Sequence, residues 1–391
     1  LVSLGIGGVL YMLAAFWVSS TDEESYARQG EFAYGEFVID YSYNLVETAE
    51  HGEMELRTEH PMDRTLTGII EGIDGVEQVI PVESLPVSWE THDDDGNVRI
   101  GTLSEERAED LRDIVREGNL SYGDMVENDS IITTDGGVWE EVYGWKLEVG
   151  DEVVFTWYDG QQEREKSCTV CGIIDADDFS RLSDGQPGDY TLSFLLPDVV
   201  LQEMAGSAGL TGSLVVKTDM EKDEQIEDSL NRLLDKHPYY SLNTLQDNIL
   251  ETESMFTLLF SVMIGLSLFI IAFALINLFN TLITNILTRG REFAMLQSVG
   301  MTRKQLAKML RVEGLTLSAG NLLITLVLGT AAGYVMIWLL RYFGADYMHF
   351  VFPAWFFLGY AVFIVLVPVL ITEYMVRRFQ KQTLVERLRE E

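Results

Sequence analysis

Apolar residues are distributed along this chain in two styles. In four stretches, residues 1–18, 256–287, 315–340 and 355–372, they run on without a charged side chain. A helix needs ~20 such residues to cross a bilayer core, so these stretches predict membrane helices. The first is barely long enough to span, and its polar groups are Ser3 and the Tyr11 hydroxyl. It predicts a membrane helix whose upstream part precedes Leu1, with a cleaved leader as the other reading. Between the first two runs, helical and strand periods alternate, which predicts a folded α/β domain. Strands are expected over residues 35–41, 76–81, 130–133, 151–158, 167–174, 190–196 and 212–217, and helices over 62–73, 104–117, 197–205 and 222–236. Asp159-Gly160 predicts a hairpin turn, and Ser104 and Pro197 predict helix starts. No Pro or Gly interrupts residues 245–264, so one helix is expected from 245 to 287. At ~1.5 Å per residue it would be on the order of 60 Å long, a stalk continuous with the second span.

The fold class that follows is an α-helical membrane protein with four transmembrane helices and a large α/β extracytoplasmic domain inserted between helices 1 and 2. Its expected parts are helix 1 (1–19), the α/β domain (20–244) and a helical domain (245–391). The last divides into stalk and helix 2 (245–287), a loop (288–311), helix 3 (312–341), an outer loop (342–354), helix 4 (355–376) and a tail (377–391).

Charge sharpens this division. The net charge is −35, but residues 21–255 hold 55 acids and 15 bases whereas residues 256–391 hold 7 acids and 12 bases. Phosphate backbones would repel so acidic a chain, which excludes nucleic acid as a partner. Arg289, Arg291, Arg303, Lys304, Lys308 and Arg311 cluster after the second span, and Arg377, Arg378, Lys381, Arg387 and Arg389 follow the fourth. Such clusters mark the cytoplasmic side, which places residues 342–354 and the acidic domain outside.

Candidate chemistry is sparse. Cys168 and Cys171 lie three apart in a predicted strand, on opposite faces and ~10 Å from each other, too far for a disulfide. The five histidines have no metal-type spacing to them, so no metal centre and no catalytic residues are expected. Residues 92–97, His-Asp-Asp-Asp-Gly-Asn, read as a solvated turn or a weak cation site. Asn277, Asn280, Thr281 and Thr284 share one face of the second span, an expected contact with spans three and four or with a second copy. Gly329 and Gly333 form Gly-x-x-x-Gly, which predicts close helix packing. Residues 289–306 predict a short basic amphipathic helix, stopped by Gly300 and restarted at a capped Thr302; such a helix suits an anionic lipid surface.

The pattern Arg289-x-Arg291-Glu292-Phe293-Ala294-x-Leu296-x-Ser298-Val299-Gly300-Met301-Thr302-x-x-Gln305, followed by Glu313-Gly314, resembles the signature of FtsX-like (MacB-type) ABC transporter permeases. Residues 70–81 are similar to that family's entry to its extracytoplasmic domain, and residues 383–389 to its usual C-terminal ending, from which Thr383-Leu384 and Arg387 depart. The resemblance implies a permease subunit in a bacterial plasma membrane, working as a dimer or as half of a tandem permease with a separate cytoplasmic ATPase. ATP and magnesium would belong to that subunit, since this chain has no Gly-Lys pair from which to build a phosphate-cradling loop and needs no cofactor of its own. Residues 292–299 would be the helix that docks on the ATPase, with Phe293, Leu296 and Val299 as apolar contacts and Arg289, Arg291 and Arg303 as polar ones, Glu292 and Gly300 completing the motif. ATPase closure would move the stalk and the outer domain, a mechanotransmission acting on peptide, lipid or lipoprotein-like cargo. The alternative is a regulator that activates a cell-wall hydrolase or senses antimicrobial peptides without transport.

Overall fold

The computed structural model describes residues 2–90, 95–135, 146–175, 194–219 and 222–381. In chain order its helices are α1 (Val2–Ser20), α2 (Glu23–Ala27), α3 (Tyr43–Thr48), α4 (Gly52–Glu59), α5 (Arg64–Glu71), α6 (Glu105–Leu111), α7 (Tyr122–Asn128), α8 (Asp198–Ala205), α9 (Asp223–Leu234), α10 (Leu245–Thr288), α11 (Gly290–Ser298), α12 (Arg303–Tyr342) and α13 (Ala354–Lys381). Its strands are β1 (Phe37–Tyr41), β2 (Val76–Glu90), β3 (Asp95–Leu103), β4 (Val115–Gly118), β5 (Ser130–Thr134), β6 (Glu152–Tyr158), β7 (Glu163–Ile174), β8 (Phe194–Pro197), β9 (Thr211–Thr218) and β10 (Tyr240–Thr244). Residues 24–252 form an α/β unit, and residues 1–23 with 253–391 form a helical unit. The division thus falls inside α10, several residues past the expected boundary at 245.

The α/β unit has two parts that share one strand. Its first part is an antiparallel sheet in the order β10-β1-β9-β2. Crossover helices α5 and α9 bury Leu66, Ile70, Ile226, Leu230 and Leu234 against Phe37, Ile39, Val79, Leu214 and Val216 of that sheet, the split β-α-β arrangement. Helix α5 starts where the Asp63 carboxylate accepts from the Thr65 and Leu66 amides, both at 2.9 Å. The second part begins where β2 shifts register at Val82/Glu83 and leaves β9 for β3. From there the pairings β2-β3-β8-β5-β7-β6 return to β2, so six strands close on themselves and leave no free edge among them. The alternate residues Leu85, Val87 and Trp89, with Ile100, Phe155, Cys168 and Phe194, fill the interior. Helices α6 and α7 cover the outside of β5, β7 and β8 through Leu111, Met125, Ile132, Ile174 and Leu195.

Several local expectations change. Residues 104–117 do not form one helix: Ser104 caps α6, but the chain leaves the helix after Leu111 and Val115–Gly118 pairs with β7 as a strand. Strands β3 and β10 and helices α3, α4 and α7 have too weak a period to have been anticipated. The hairpin at Asp159-Gly160 forms, with Gly160 at φ +90° where glycine alone is unstrained. Cys168 lies in the barrel interior and Cys171 against the α6/α7 side, as opposite faces require, and burial pushes both thiols up to about 11. Residues 92–94 of the acidic turn, the first part of the expected strand over 190–196, and residues 382–391 with the tail similarity lie outside the described residues.

In the helical unit three stretches are long and apolar enough to cross a membrane: Leu245–Asn277, Lys304–Tyr342 and Ala354–Ile371. Gly5–Ser20 is a shorter apolar helix, so by length the described residues hold three spans where four were expected. Helix α1 packs on α12 at the Gly-x-x-x-Gly face, Met12 Cβ lying 2.9 Å from where a Cβ on Gly329 would sit and the Phe16 ring occupying the place of one on Gly333. Its C-terminal end is tied to the α12–α13 loop: the His349 amide donates to the Ser20 carbonyl (2.8 Å), and the Asp22 amide to the Tyr347 carbonyl (3.1 Å). Both segments therefore lie on one side of the helical unit, as the charge distribution requires.

Candidate functional site

The loop helix α11 is built from its ends inward. At its C-terminus the Gly300 amide donates to the Gln297 carbonyl (3.2 Å) and the Met301 amide to the Leu296 carbonyl (3.0 Å). With Gly300 at φ +112°, this is a Schellman stop. Two residues on, the Thr302 hydroxyl accepts from the Gln305 amide while the Gln305 side chain accepts from the Thr302 amide (2.8 Å), a capping box that starts α12. Val299 to Gln305 thus encode a sharp corner that fixes the angle between the two helices.

The corner decides which side chains are offered outward. Phe293, expected as a docking contact, is 2% exposed and packs among Leu306, Ala307, Leu310 and Ile371. It anchors α11 to α12 and α13 and is not an available contact. Arg289, expected as a polar contact, lies with its guanidinium 5.2 Å from the Phe293 ring centre and pairs with Glu292 (3.2 Å) and Glu313 (3.3 Å). Leu296 is exposed as expected, Val299 is 88% exposed, and Met295 joins them. Sequence reasoning missed Met295, whose exposure follows from the inward turn of Phe293. The side chains of Arg291 and Arg303, like that of Thr281, lie outside the described residues. Asn277, Asn280 and Thr284 are exposed on α10.

A second site, unforeseen from the sequence, lies in the α/β unit. A cleft of about 670 Å³ opens where β2 passes from the sheet to the barrel, lined by Glu31, Tyr34, Asp40, Tyr43, Glu83, Arg99, Arg107 and Asn243 among others. Beneath it Arg57, wholly buried, donates to Glu53 (2.9 Å) and to the carbonyls of Ser84 (2.7 Å) and Leu210 (2.9 Å). Gly212 leaves the space its guanidinium fills. Arg99 holds the other Glu53 oxygen (2.5 Å). Burial alone would raise the Glu53 carboxyl, but the two arginines outweigh it and hold it below the usual range. Arg99 also attracts Glu31 and Asp40, but their hydrogen bonds are to neutral groups: Glu31 accepts from the Ser213 hydroxyl (2.6 Å) and Asp40 from the Asn243 amide (2.9 Å). Burial, then the neighbouring Glu31, pushes the Asp40 carboxyl up to about 7.

This shift sets a pH dependence. Unfolded, Asp40 titrates near 3.8, and folded it titrates near 7. Between those values the folded state binds more protons, so this contribution to stability is full below 3.8 and is lost as pH rises through about 7. For residues 24–252, whose cores all lie inside the unit, Asp40→Asn is expected to raise the urea midpoint at pH 8 and to leave it nearly unchanged at pH 4. Equal shifts at both pH values would refute the assignment.

Residues 264–384 match the family model described as FtsX-like permease C-terminal. This stretch, which contains α11 and its corner, is similar to the C-terminal domain of FtsX-like permeases. No curated protein matches. Among solved structures, the extracellular domain of YknZ, a noncanonic ABC-type transporter from Gram-positive bacteria, is similar at 16% identity and TM-score 0.27, over 54% of this chain and 100% of that one. The periplasmic region of MacB from Actinobacillus actinomycetemcomitans is similar at 14% identity and TM-score 0.28, over 56% of this chain and 92% of that one. Overlaps this low add nothing to the reading of the cleft.

Proposed function

We propose that this chain is the membrane permease subunit of an ATP-driven transporter, coupling hydrolysis by a separate cytoplasmic ATPase to movement of an extracytoplasmic α/β domain that handles peptide, lipid or lipoprotein-like cargo. The observation that carries the reading is the exposed apolar group Met295, Leu296 and Val299, held rigidly by Phe293 and Arg289 within a stretch similar to the C-terminal domain of FtsX-like permeases. A helix so braced from behind transmits a push, whereas a helix resting on lipid has no need of the brace. The uninterrupted α10, 44 residues long, is the element by which displacement would pass between the units. Four spans, α1 among them, complete the topology of this reading, in a bacterial plasma membrane with residues 24–252 outside. The exposed Asn280 and Thr284 supply a polar seam for a second permease copy, since polar side chains facing lipid are costly.

The test is co-purification and ATP turnover with the ATPase. Leu296→Asp combined with Val299→Asp is expected to remove two apolar contacts and lower coupled turnover tenfold or more, with the fold intact. Retained binding and normal turnover would assign α11 to the lipid surface and remove the support for coupling.

A further inference from the structure

Helices α1, α12 and α13 meet around a group of polar side chains buried among apolar ones. On α12, Ser318 and Thr325 lie about one turn to either side of Asn321, so the three share a face, and all are buried. The Ser318 hydroxyl donates to the Ile364 carbonyl of α13 (2.9 Å), and the Tyr360 hydroxyl of α13 donates to Asn321 Oδ1 (2.8 Å). Asn321 is 1% exposed, yet its Nδ2 has no hydrogen-bond partner among the described residues. Inside a membrane no bulk solvent reaches such a donor, so it is either matched within the bundle or costly.

Helix α1 closes over this point with glycines. Gly8 brings its backbone so near the Thr325 and Tyr360 hydroxyls that a Cβ would have no place. One turn before it, Gly5 is different: a Cβ there would meet Ile324 Cγ2 at 3.4 Å and Asn321 Nδ2 at 4.0 Å, ordinary van der Waals distances. Gly5 therefore leaves room for one small molecule beside the unpaired amide nitrogen. The surroundings narrow the occupant. An amide N–H calls for an acceptor and a hydroxyl can receive as well as give a proton, so the occupant both accepts and donates. Residues 1–18, 315–340 and 355–372 hold no Asp, Glu, Lys, Arg or His, so nothing there offsets a charge and the occupant is neutral.

We propose that this site binds one water molecule, which accepts from Asn321 Nδ2, donates towards Thr325 and is held in by the α1 backbone at Gly5. A buried water with two or more polar partners is a fixed part of a fold. This one joins α1 to α12 and α13 through hydrogen bonds that it can exchange as the helices shift. Neither the ATPase nor a cargo enters the argument, so the site stands apart from the permease reading.

The experiment is a millisecond X-ray pulse on the full-length protein in detergent, read by mass spectrometry. The pulse splits a bound water in place to a hydroxyl radical, which marks the side chain beside it. Tyr360 is compared with Tyr41, a similarly buried tyrosine whose hydroxyl donates to the His60 carbonyl (3.0 Å). Tyr360 is expected to be modified about tenfold faster than Tyr41. With heavy-oxygen water mixed in just before the pulse, the oxygen added to Tyr360 is expected to be still the light isotope, as a held water requires. Gly5→Ala puts a methyl group in the room beside the amide, and is expected to bring Tyr360 down to the rate of Tyr41. Alanine fits there by the distances above and suits a helix better than glycine, so this variant is expected to fold, which a thermal melt checks. Asn321→Leu removes the amide itself and is expected to have the same effect. A parent Tyr360 no faster than Tyr41, heavy oxygen in its product, or a fast rate that survives Gly5→Ala would each overturn the proposal.

Discussion

Arg57→Met is expected to destabilise residues 24–252 by about 3–5 kcal/mol, the usual cost of removing one partner from a buried ion pair. A domain of this size holds on the order of 5–15 kcal/mol, so the variant would be partly or wholly unfolded at 37 °C. The reason is positional. Arg57 stands where β2 leaves one sheet for the other, and its guanidinium ties the Ser84 and Leu210 carbonyls on either side of that corner. Methionine fills much of the volume but strands Glu53 with Arg99 as its one cation and leaves two carbonyls without their donor. Arg57→Lys keeps the charge without the fork and is expected to fall between. Glu53→Gln added to Arg57→Met removes the stranded charge, so the double variant is expected to be more stable than Arg57→Met alone. Urea unfolding measures all three, and an Arg57→Met midpoint within error of the parent would contradict the role given to the corner.

That corner also marks what the sequence could and could not disclose. Three of the four expected spans were legible because an apolar run needs no tertiary information, and the α11–α12 corner was legible because Gly300, Thr302 and Gln305 act on their own neighbours. Arg57 was not: in Glu-Leu-Arg-Thr-Glu it reads as a solvated helix position, and its partners Ser84 and Leu210 lie far along the chain. The cleft is hidden for the same reason, since Glu31, Asp40, Ser213 and Asn243 meet only when β1, β9 and β10 pair. Phe293 is an intermediate case. Phe293, Leu296 and Val299 are spaced by three and so spread over about a third of the helix circumference, which leaves open which of them turns inward. The decision comes from Leu306, Leu310 and Ile371, side chains on two other helices.

Gly333→Leu is expected to prise α1 from α12 and to lower the apparent Tm of the detergent-solubilised protein by on the order of 5–10 °C, from an overpacking cost of about 1–3 kcal/mol. In lipid the apolar effect does not drive helices together, so close contact must supply the attraction, and a glycine is what permits it. Gly333 does so for the Phe16 ring, which is fully buried, stacks on Phe350 at 5.2 Å and meets Phe352 edge-on at 5.8 Å. An aromatic ring locked between two others cannot turn aside, so α1 itself has to move. At Gly329 the neighbour is Met12, an unbranched side chain, and Gly329→Ala is expected to cost less, with Met12→Ala restoring part of the loss. Gly320 provides the comparison: it lies on the same helix with nothing near its Cβ direction, and Gly320→Leu adds the same side chain to open space. If Gly333→Leu and Gly320→Leu melt together, the loss belongs to α12 as a helix and the packing of α1 on it contributes nothing; if Gly333→Leu alone falls, the glycine is there for Phe16.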